Sequence, residues 1–534
     1  MLIDGAPLDA PAAPLHDLLA AGTAAAPDAS ALVSAERRIS WCELEQASSR
    51  LAGGYLALGL EPGDRIASLM PNRIALVIHY LACFKAGLVA TPLNYRYTFR
   101  EIDHALEVSG ASALLAHVER GEDLTASELV GALPLGTISY GDSEAEERSA
   151  GDGSGRRFAE LLEAAPAADL PAPELSDPAA IFFTSGSTGP AKGVTHTHET
   201  LRWMMASAIA AFELSAEDVF LPGSSMSHIG SFLWTLSTLS VGGRVVVARS
   251  YDAHELLPLL REHQPTVLAM IPAALAALIR DHDLTHDDFA SLRICRAGAD
   301  KVSTELLSEF AALAGFPIDE GYGMTEVGLA TLNPPSGPIK QGSIGPPIGG
   351  FSVAIRDEAG EPVGEPGTVG RVWIRTRSRT VGYWEAPEAT AEILREGWLD
   401  SGDLARADED GYLWFFGRKK QVIVHDGSNI SPLEVEGALT EHPAVALAGV
   451  VGVHDAVHGE NVRAYVTLRP EADRPSSADL IVFCRDRVGY KAPEEVVVLD
   501  EMPLNPTGKI DRVGLKKMAE DHLHPHGLAN KPSA

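Results

Sequence analysis

The chain has 534 residues, 45% of them hydrophobic, and its 43 basic side chains against 73 acidic ones leave a formal net charge of -30. That length is a prior for roughly three or four domains of about 150 residues each, with enough apolar material for full cores. The acidity excludes nucleic acid as a partner, because phosphate backbones call for basic patches, while a small anion held by one local group of cations stays open.

No stretch approaches the ~20 uninterrupted apolar residues of a membrane span. The opening "MLIDGAPLDAPAAPLHDLL" has neither the basic segment nor the apolar core of a secretory signal, so a cytoplasmic protein is expected. From Leu15 to about Ala90, "ISWCELEQASSRLAGGYLALGL" reads as a helix and "DRIASLM" as a strand, the alternation of a layered α/β arrangement. Residues 141–178 are rich in Gly, Ala, Pro and acid and read as a flexible linker with one short helix. Strand-like runs return in "DPAAIFFTSG", "GGRVVVA", "PTVLAMI" and "SLRICRAGA", which predicts a mixed sheet with parallel pairs. From Gly370 the pattern is shorter and more β-rich. From Val422 a compact α+β segment runs to about residue 518, with a boundary at "GRKK", 417–420. Cys42, Cys83, Cys295 and Cys484 include no C-x-x-C pair, so buried ordinary thiols are expected rather than disulfides or zinc. The terminal "DHLHPHGLANKPSA" carries three histidines but reads as a disordered end, not a metal site.

The densest chemistry lies in "FFTSGSTGPAKGVTHTH", Phe182 to His198. A Walker A loop needs G-x-x-x-x-G-K-[ST]. Counting from Gly186, Ala191 stands where the second glycine is required, and Gly193 follows Lys192, so that loop is excluded. What remains is a strand opening into a loop in which Thr184, Ser185, Ser187 and Thr188 offer hydroxyls. Gly186 and Gly189 expose backbone N–H groups, so the loop can nest a polyphosphate. A solvated Ser/Gly turn is the plain alternative.

Three further stretches carry weight: "GYGMTE" at 321–326, "GWLDSGDLARADEDGYLWFFGRKKQVIVHDGSNISPLEVE" at 397–436, and "PLNPTGKIDR" around Lys509. In this order and spacing, together with the Ser/Gly loop, they resemble the adenylate-forming superfamily of acyl-CoA synthetases, luciferases and peptide-synthetase adenylation domains. The resemblance runs over roughly residues 15–515. It implies an α/β fold: a large multi-layer N-terminal domain, 1–418, binding ATP and the acyl group, and a small mobile α+β C-terminal domain, 419–534, carrying a catalytic lysine.

The implied chemistry is attack of a carboxylate on the α-phosphate of ATP, giving an acyl adenylate and pyrophosphate, then displacement of AMP by a thiol. Fixed cations and donors lower the cost of bringing an anion to a polyanion. By resemblance, Thr184 to Lys192, with Ser185, Gly186, Ser187, Thr188 and Gly189, hold the β- and γ-phosphates. Thr325 donates to the α-phosphate, and Glu326 ligates a Mg²⁺ bridging the phosphates, which suits a hard cation that takes one or two carboxylates plus substrate phosphates. Tyr322, Gly323, Gly298 and Ala299 fall in the nucleotide site, with 296–300 contacting adenine. Asp403 and Arg418 match ribose contacts, although a turn cap and a surface charge are their plain readings. Lys509 matches the lysine that bridges the carboxylate and the α-phosphate, delivered by closure of a lid, and Lys420 matches the hinge of the small domain.

"SSMSHIGSFLWTL" matches the stretch whose histidine, His228, stands at the mouth of the acyl pocket. Ser227, Gly230, Ala297, Gly298 and Ala299 with Ile229, Phe232 and Trp234 suggest an acid with an apolar body, medium or long aliphatic chains first and aryl acids second. Phe232 and Trp234 read equally well as helix core. Many relatives place two adjacent glycines, and often a basic residue at 424, before the position of Ser428. This chain has Val424, His425, Asp426 and Gly427, where Asp426 either weakens CoA binding or caps a turn. The thiol is therefore CoA or the arm of a separate acyl carrier protein. Only about 20 residues follow "GKIDR", against the ~50 a fused carrier domain needs. Pairing with a second copy of the chain is left open. A non-thiol acceptor and a catalytically silent ATP-binding protein are the remaining alternatives.

Overall fold

In the computed structural model, the described residues are 1–143, 145–146, 156–166, 172–184, 190–250, 252–298, 302–425, 428–455, 458–470, 473–505 and 508–523. The fold is mixed α/β, a large N-terminal domain followed by a smaller C-terminal one, as the sequence predicts. Among the described residues, no helix is long and apolar enough to cross a membrane. The four cysteines are free, and all but Cys42 are buried.

The helix Trp41–Leu58 starts where Ser40 and Glu43 form a reciprocal cap and stops at Gly59, in the left-handed conformation. The strand Arg65–Leu69 follows, and then Ile74–Ala86, a helix buried on nearly every side. An apolar sequence without a polar face can only lie between layers. It does so here, in the main core.

Eight strands form the first sheet, in the order Gly382–Tyr383, Lys192–Thr197, Pro178–Thr184, Val89–Pro92, Arg65–Leu69, Ala113–His117, Thr137–Tyr140, Arg156–Arg157. From Pro178–Thr184 onward the neighbours run parallel. The second sheet sets Ile294–Ala297, Val267–Met270, Val219–Gly223, Arg244–Val246 and Ser30–Val33 side by side, all parallel, with Arg38–Ser40 antiparallel at the edge. Parallel strands buried on both faces read as apolar runs, which is why "VLAM" and "ALLAH" show no alternation. A third, antiparallel sheet contains Phe351–Arg356, Gly370–Thr376, Trp398–Ala407 and Leu413–Arg418.

After the exposed turn Lys419–Gln421, a five-stranded sheet of Ser428–Ile430, Ile423–His425, Gly459–Leu468, Val445–Asp455 and Glu495–Val498 carries its own core, including Ile430, Leu439, Val450, Val466 and Leu480. The expected short helix is present at Phe158–Leu161, while the flexible-linker part of the expectation needs correction within 156–162. Arg156–Arg157 adds a strand to the first sheet, and Phe158 and Leu161 are buried on the next helical turn. The strand Arg156–Arg157 was not legible, because two arginines show no apolar alternation. Of the histidine tail, residues 524–534 lie outside the described residues.

Candidate active site

The C-terminal ends of Val219–Gly223, Val267–Met270 and Ile294–Ala297 lie side by side, with Gly223 opposite Met270 and Met270 opposite Ala297. Ligands favour such a strand edge in α/β sheets. The chain leaves the first of these strands toward His228, at the N-cap of helix Ile229–Ser240, and the third toward Gly298, whose N–H donates to the Met270 carbonyl at 3.2 Å. A Cβ on Gly298 would lie 2.8 Å from Arg296 Nη2, so glycine leaves room for that guanidinium. Ala299 lies outside the described residues.

The Ser/Gly loop hangs from a hairpin. Thr184 and Lys192 are cross-strand partners closing it, while Ser185, Gly186, Ser187, Thr188 and Gly189 lie outside the described residues. Lys192 Nζ sits 5.1 Å over the Tyr383 ring, within the range of a cation–π contact. The Tyr383 hydroxyl in turn donates to Glu326 Oε1 at 2.9 Å. His104 Nε2 lies 2.7 Å from the Ala191 carbonyl, fastening the same arm of the loop stem.

"GYGM" forms the strand Gly321–Met324, paired with Gly328–Leu332. A Cβ on Gly323 would lie 2.4 Å from the Gly328 carbonyl oxygen, so only glycine allows this approach. The Tyr322 hydroxyl donates to Asp403 Oδ2 at 2.6 Å, and its ring stacks on Phe415. Asp403 faces Arg418 across the strand pair, with Arg418 Nε 3.6 Å from its Oδ1. Thr325 and Glu326 turn away from the end of the strand. The Thr325 carbonyl accepts from His196 Nε2 at 2.8 Å and the Glu326 carbonyl from the Thr380 N–H at 2.7 Å.

Glu326 is 6% exposed and Asp403 5%. Burial raises both carboxyl pKa values, and hydrogen bonds from Tyr383 and Tyr322 and the charge of Arg418 pull them back. Burial pushes the His228 imidazole down to about 4, helped by the charge of Lys509, and the same lysine lowers the pKa of Asp403. Lys509 reaches this place on a tight loop in which its N–H donates to Asn505 Oδ1 at 3.1 Å. The adjoining Gly508 lies against Ile271, 3.8 Å from its Cδ1 to a Cβ built on the glycine. The lysine loop of the C-terminal sheet is thus closed over the strand ends of the large domain.

The structure therefore joins these residues in one connected group: Lys509 acts on His228 and Asp403, Asp403 meets Tyr322 and Arg418, and Glu326, next to Thr325, is linked through Tyr383 to Lys192. Lys420 lies outside it, exposed in the turn Lys419–Gln421. Of the two readings left open for Phe232 and Trp234, helix core and pocket wall, the structure shows the first. Phe232, 1% exposed, packs against Tyr80, Phe84 and Phe182, and Trp234 against Phe212, so both belong to the main core. Gly230, by contrast, is exposed, with open space where a Cβ would be. Asp426 and Gly427 lie outside the described residues.

Two contributors, Tyr383 and His196, were missed, and Arg296, already placed in the 296–300 wall, has a further role. Tyr383 sits in "VGYW", with no motif to mark it. His196 stood within the quoted hydroxyl-rich stretch but was given no role there. Arg296, whose pKa burial pushes down to about 10, donates to the carbonyls of Ala297, Asp319 and Gly321 at 2.6, 3.0 and 2.8 Å, pinning the wall strand to the "GYGM" strand. An unexpected charged group, His117, Glu119 and Asp142, has ligand atoms within 4.8 Å of one another. Its carboxylates are already held by Arg249 and Arg73, so it is an ion-pair network. Glu326 belongs to no such cluster among the described residues, and a metal there would need oxygens from a bound polyphosphate, as Mg²⁺ takes them.

Residues 19–384 match the family described as AMP-binding enzyme, and residues 434–509 match its C-terminal domain. The chain belongs to the AMP-binding enzyme family. Within that family it is an AMP-forming acyl-CoA ligase, a class that uses ATP and takes a small carboxylic acid and CoA as substrates. It is 33% identical to a feruloyl-CoA synthase from Amycolatopsis sp over 91% of this chain and 94% of the relative. It is 32% identical to the fatty acid–[acyl-carrier-protein] ligase ScoC of Streptomyces coeruleorubidus, over 92% and 93%. The crystal structure of ATP-bound MatB from Rhodopseudomonas palustris superposes with a TM-score of 0.87 at 27% identity, covering 96% of this chain and 99% of that one.

Proposed function

We propose that this AMP-binding enzyme adenylates a carboxylic acid having an apolar body and passes the acyl group to CoA, releasing AMP and pyrophosphate. The observation that carries the reading is the closure of the Lys509 loop over the strand ends, where its charge acts on His228 and Asp403 at once. In this arrangement Lys509 neutralises the carboxylate and the α-phosphate as they approach, and the Thr325 hydroxyl donates to the same phosphate. Lys192 and the loop from Thr184 to Gly189 take the departing phosphates. Asp403, beside Arg418, accepts from the ribose hydroxyls. Mg²⁺, held by Glu326 and the phosphates, would supply charge neutralisation of the leaving pyrophosphate. Residues 1–418 then form the substrate-binding body and 419–534 the moving domain.

A medium- or long-chain fatty acid is the first choice of substrate and an aryl acid the second. With Phe232 and Trp234 in the core, support for an apolar acyl group rests on Ile229 and Gly230, which follow His228, and on Gly298 at the end of a strand of the same sheet. The two relatives, one named for feruloyl and one for fatty acid, fit both choices. A carrier-protein thiol is the second reading for the acceptor, favoured by Asp426 at the thiol loop and by the likeness to ScoC. A panel of acids scored by pyrophosphate release with ATP and Mg²⁺, followed by product mass spectrometry with CoA or a phosphopantetheinylated carrier, tests the whole. Acid-dependent release of pyrophosphate is expected. Release of ADP and phosphate alone would mean attack at the γ-phosphate and would overturn the reading.

A further inference from the structure

The turn bearing Thr325 and Glu326 is tied to the stem of the phosphate hairpin by two separate contacts. One is direct: His196, on the strand Lys192–Thr197, places Nε2 2.8 Å from the Thr325 carbonyl oxygen. The other runs through Thr380, whose N–H donates to the Glu326 carbonyl at 2.7 Å and whose hydroxyl donates to the Thr195 carbonyl at 2.6 Å. A carbonyl only accepts, so Nε2 must carry the proton. Nδ1 lies 3.2 Å from the Thr200 hydroxyl, a donor for the remaining lone pair. The ring is wholly buried and edge-on to Phe182. Burial pushes its pKa down to about 4, so it stays neutral with this one tautomer at neutral pH.

We propose that His196 is a positioning residue for adenylation, fixing through its Nε2–H bond to the Thr325 carbonyl the spacing between the phosphate hairpin and the Thr325–Glu326 turn. The inference rests on the roles given above to Thr325 and Glu326. The hairpin grips one end of a triphosphate and the turn grips its middle and its metal, so a shift between them misplaces the α-phosphate relative to the departing group. Misplacement of this order slows reactions substantially even when no reacting atom is touched. His196 reaches no substrate itself.

The test separates the half-reactions. His196→Leu keeps an apolar body but loses the donor, whereas His196→Gln can present an amide N–H at a similar reach. The Leu variant is expected to release pyrophosphate roughly 10- to 100-fold more slowly, the scale of lost outer-shell partners, and to need more Mg²⁺ for half-saturation. Thioester formation from added acyl adenylate should be unchanged, and the Gln variant should recover most of the adenylation rate. Parent-like adenylation at parent-like Mg²⁺ dependence in the Leu variant overturns the proposal. So does equal slowing of both half-reactions without rescue by Gln, which would make His196 a packing residue. Should the Leu variant not fold, His196→Asn, whose amide stops short of the carbonyl, carries the same expectation. Thr325→Ala serves as the control: if it too adenylates normally, the reading of the turn fails, and not the placement of His196 alone.

Discussion

The hydroxyl of Tyr383 donates to Oε1 of Glu326 across 2.9 Å, while the Tyr383 ring lies under the ammonium of Lys192. One side chain thus connects the carboxylate proposed for the metal with the lysine proposed for the phosphates. Tyr383→Phe keeps the ring and removes only the bond. A hydrogen bond to a charged group is worth about 1.5–3 kcal/mol, so adenylation is expected to slow by roughly 10- to 100-fold at low Mg²⁺ and to recover in part as Mg²⁺ rises. An unchanged Mg²⁺ dependence would show that the tyrosine does not orient Glu326.

Lys509→Ala should slow adenylation by roughly 10²- to 10³-fold, the effect of losing one preorganised charge-stabilising donor, with little change in ATP affinity. Lys192→Ala, by contrast, should weaken ATP binding as well. The geometry adds a second readout. The lysine charge helps hold the His228 pKa down near 4, so in the alanine variant the imidazole should titrate at a higher pH by NMR. If neither the rate nor the titration moves, Lys509 does not act at this cleft.

These expectations draw on different depths of legibility. Lys509, Glu326, Asp403 and the hydroxyl loop stand in short motifs whose glycines and polar groups are local, so they could be read directly. Tyr383 and His196 could not, because their partners lie 57 and 129 residues away and the pairing is made only when the layers meet. Phe232 and Trp234 were ambiguous for another reason. The helix Ile229–Ser240 is buried along nearly its whole length, and a helix without a polar face gives no periodicity by which to tell core from pocket.

The pH dependence of stability follows from buried histidines. Burial pushes His79 to about 3 and His196, His198 and His228 to about 4, below the ordinary 6.5 they regain on unfolding. Their stabilisation is complete above pH 6.5 and is lost as pH falls toward 4, because only the unfolded chain takes up those protons. Asp319, raised by burial to about 7, has the opposite sign and offsets one of the four in that window, and Glu326 and Asp403 are raised in the same sense. Each histidine contributes a slope of about 1.4 kcal/mol per pH unit. The urea midpoint should therefore fall as pH drops from 6.5 to 5, and His198→Gln should make the fall shallower by about one proton. A flat profile would mean that the histidines are hydrated.

The turn at Lys420 separates the last strand of the large domain, Leu413–Arg418, from the first of the small sheet, Ile423–His425. Within the turn region, the Val422 N–H donates to the Arg418 carbonyl at 3.1 Å and Lys419 pairs with Glu358 at 2.8 Å. In the proposed mechanism the closed Lys509 loop serves adenylation, and the small domain turns to admit the thiol in the second step. A hinge absorbs such a change in a few backbone angles. Proline at 420 fixes φ near -65° and restricts Lys419 as well. Lys420→Pro is therefore expected to leave adenylation nearly intact while thioester formation collapses, as measured by single-turnover assays of each half-reaction. Equal slowing of both, or of neither, would place the moving part elsewhere and leave Lys420 as one charge in a basic run.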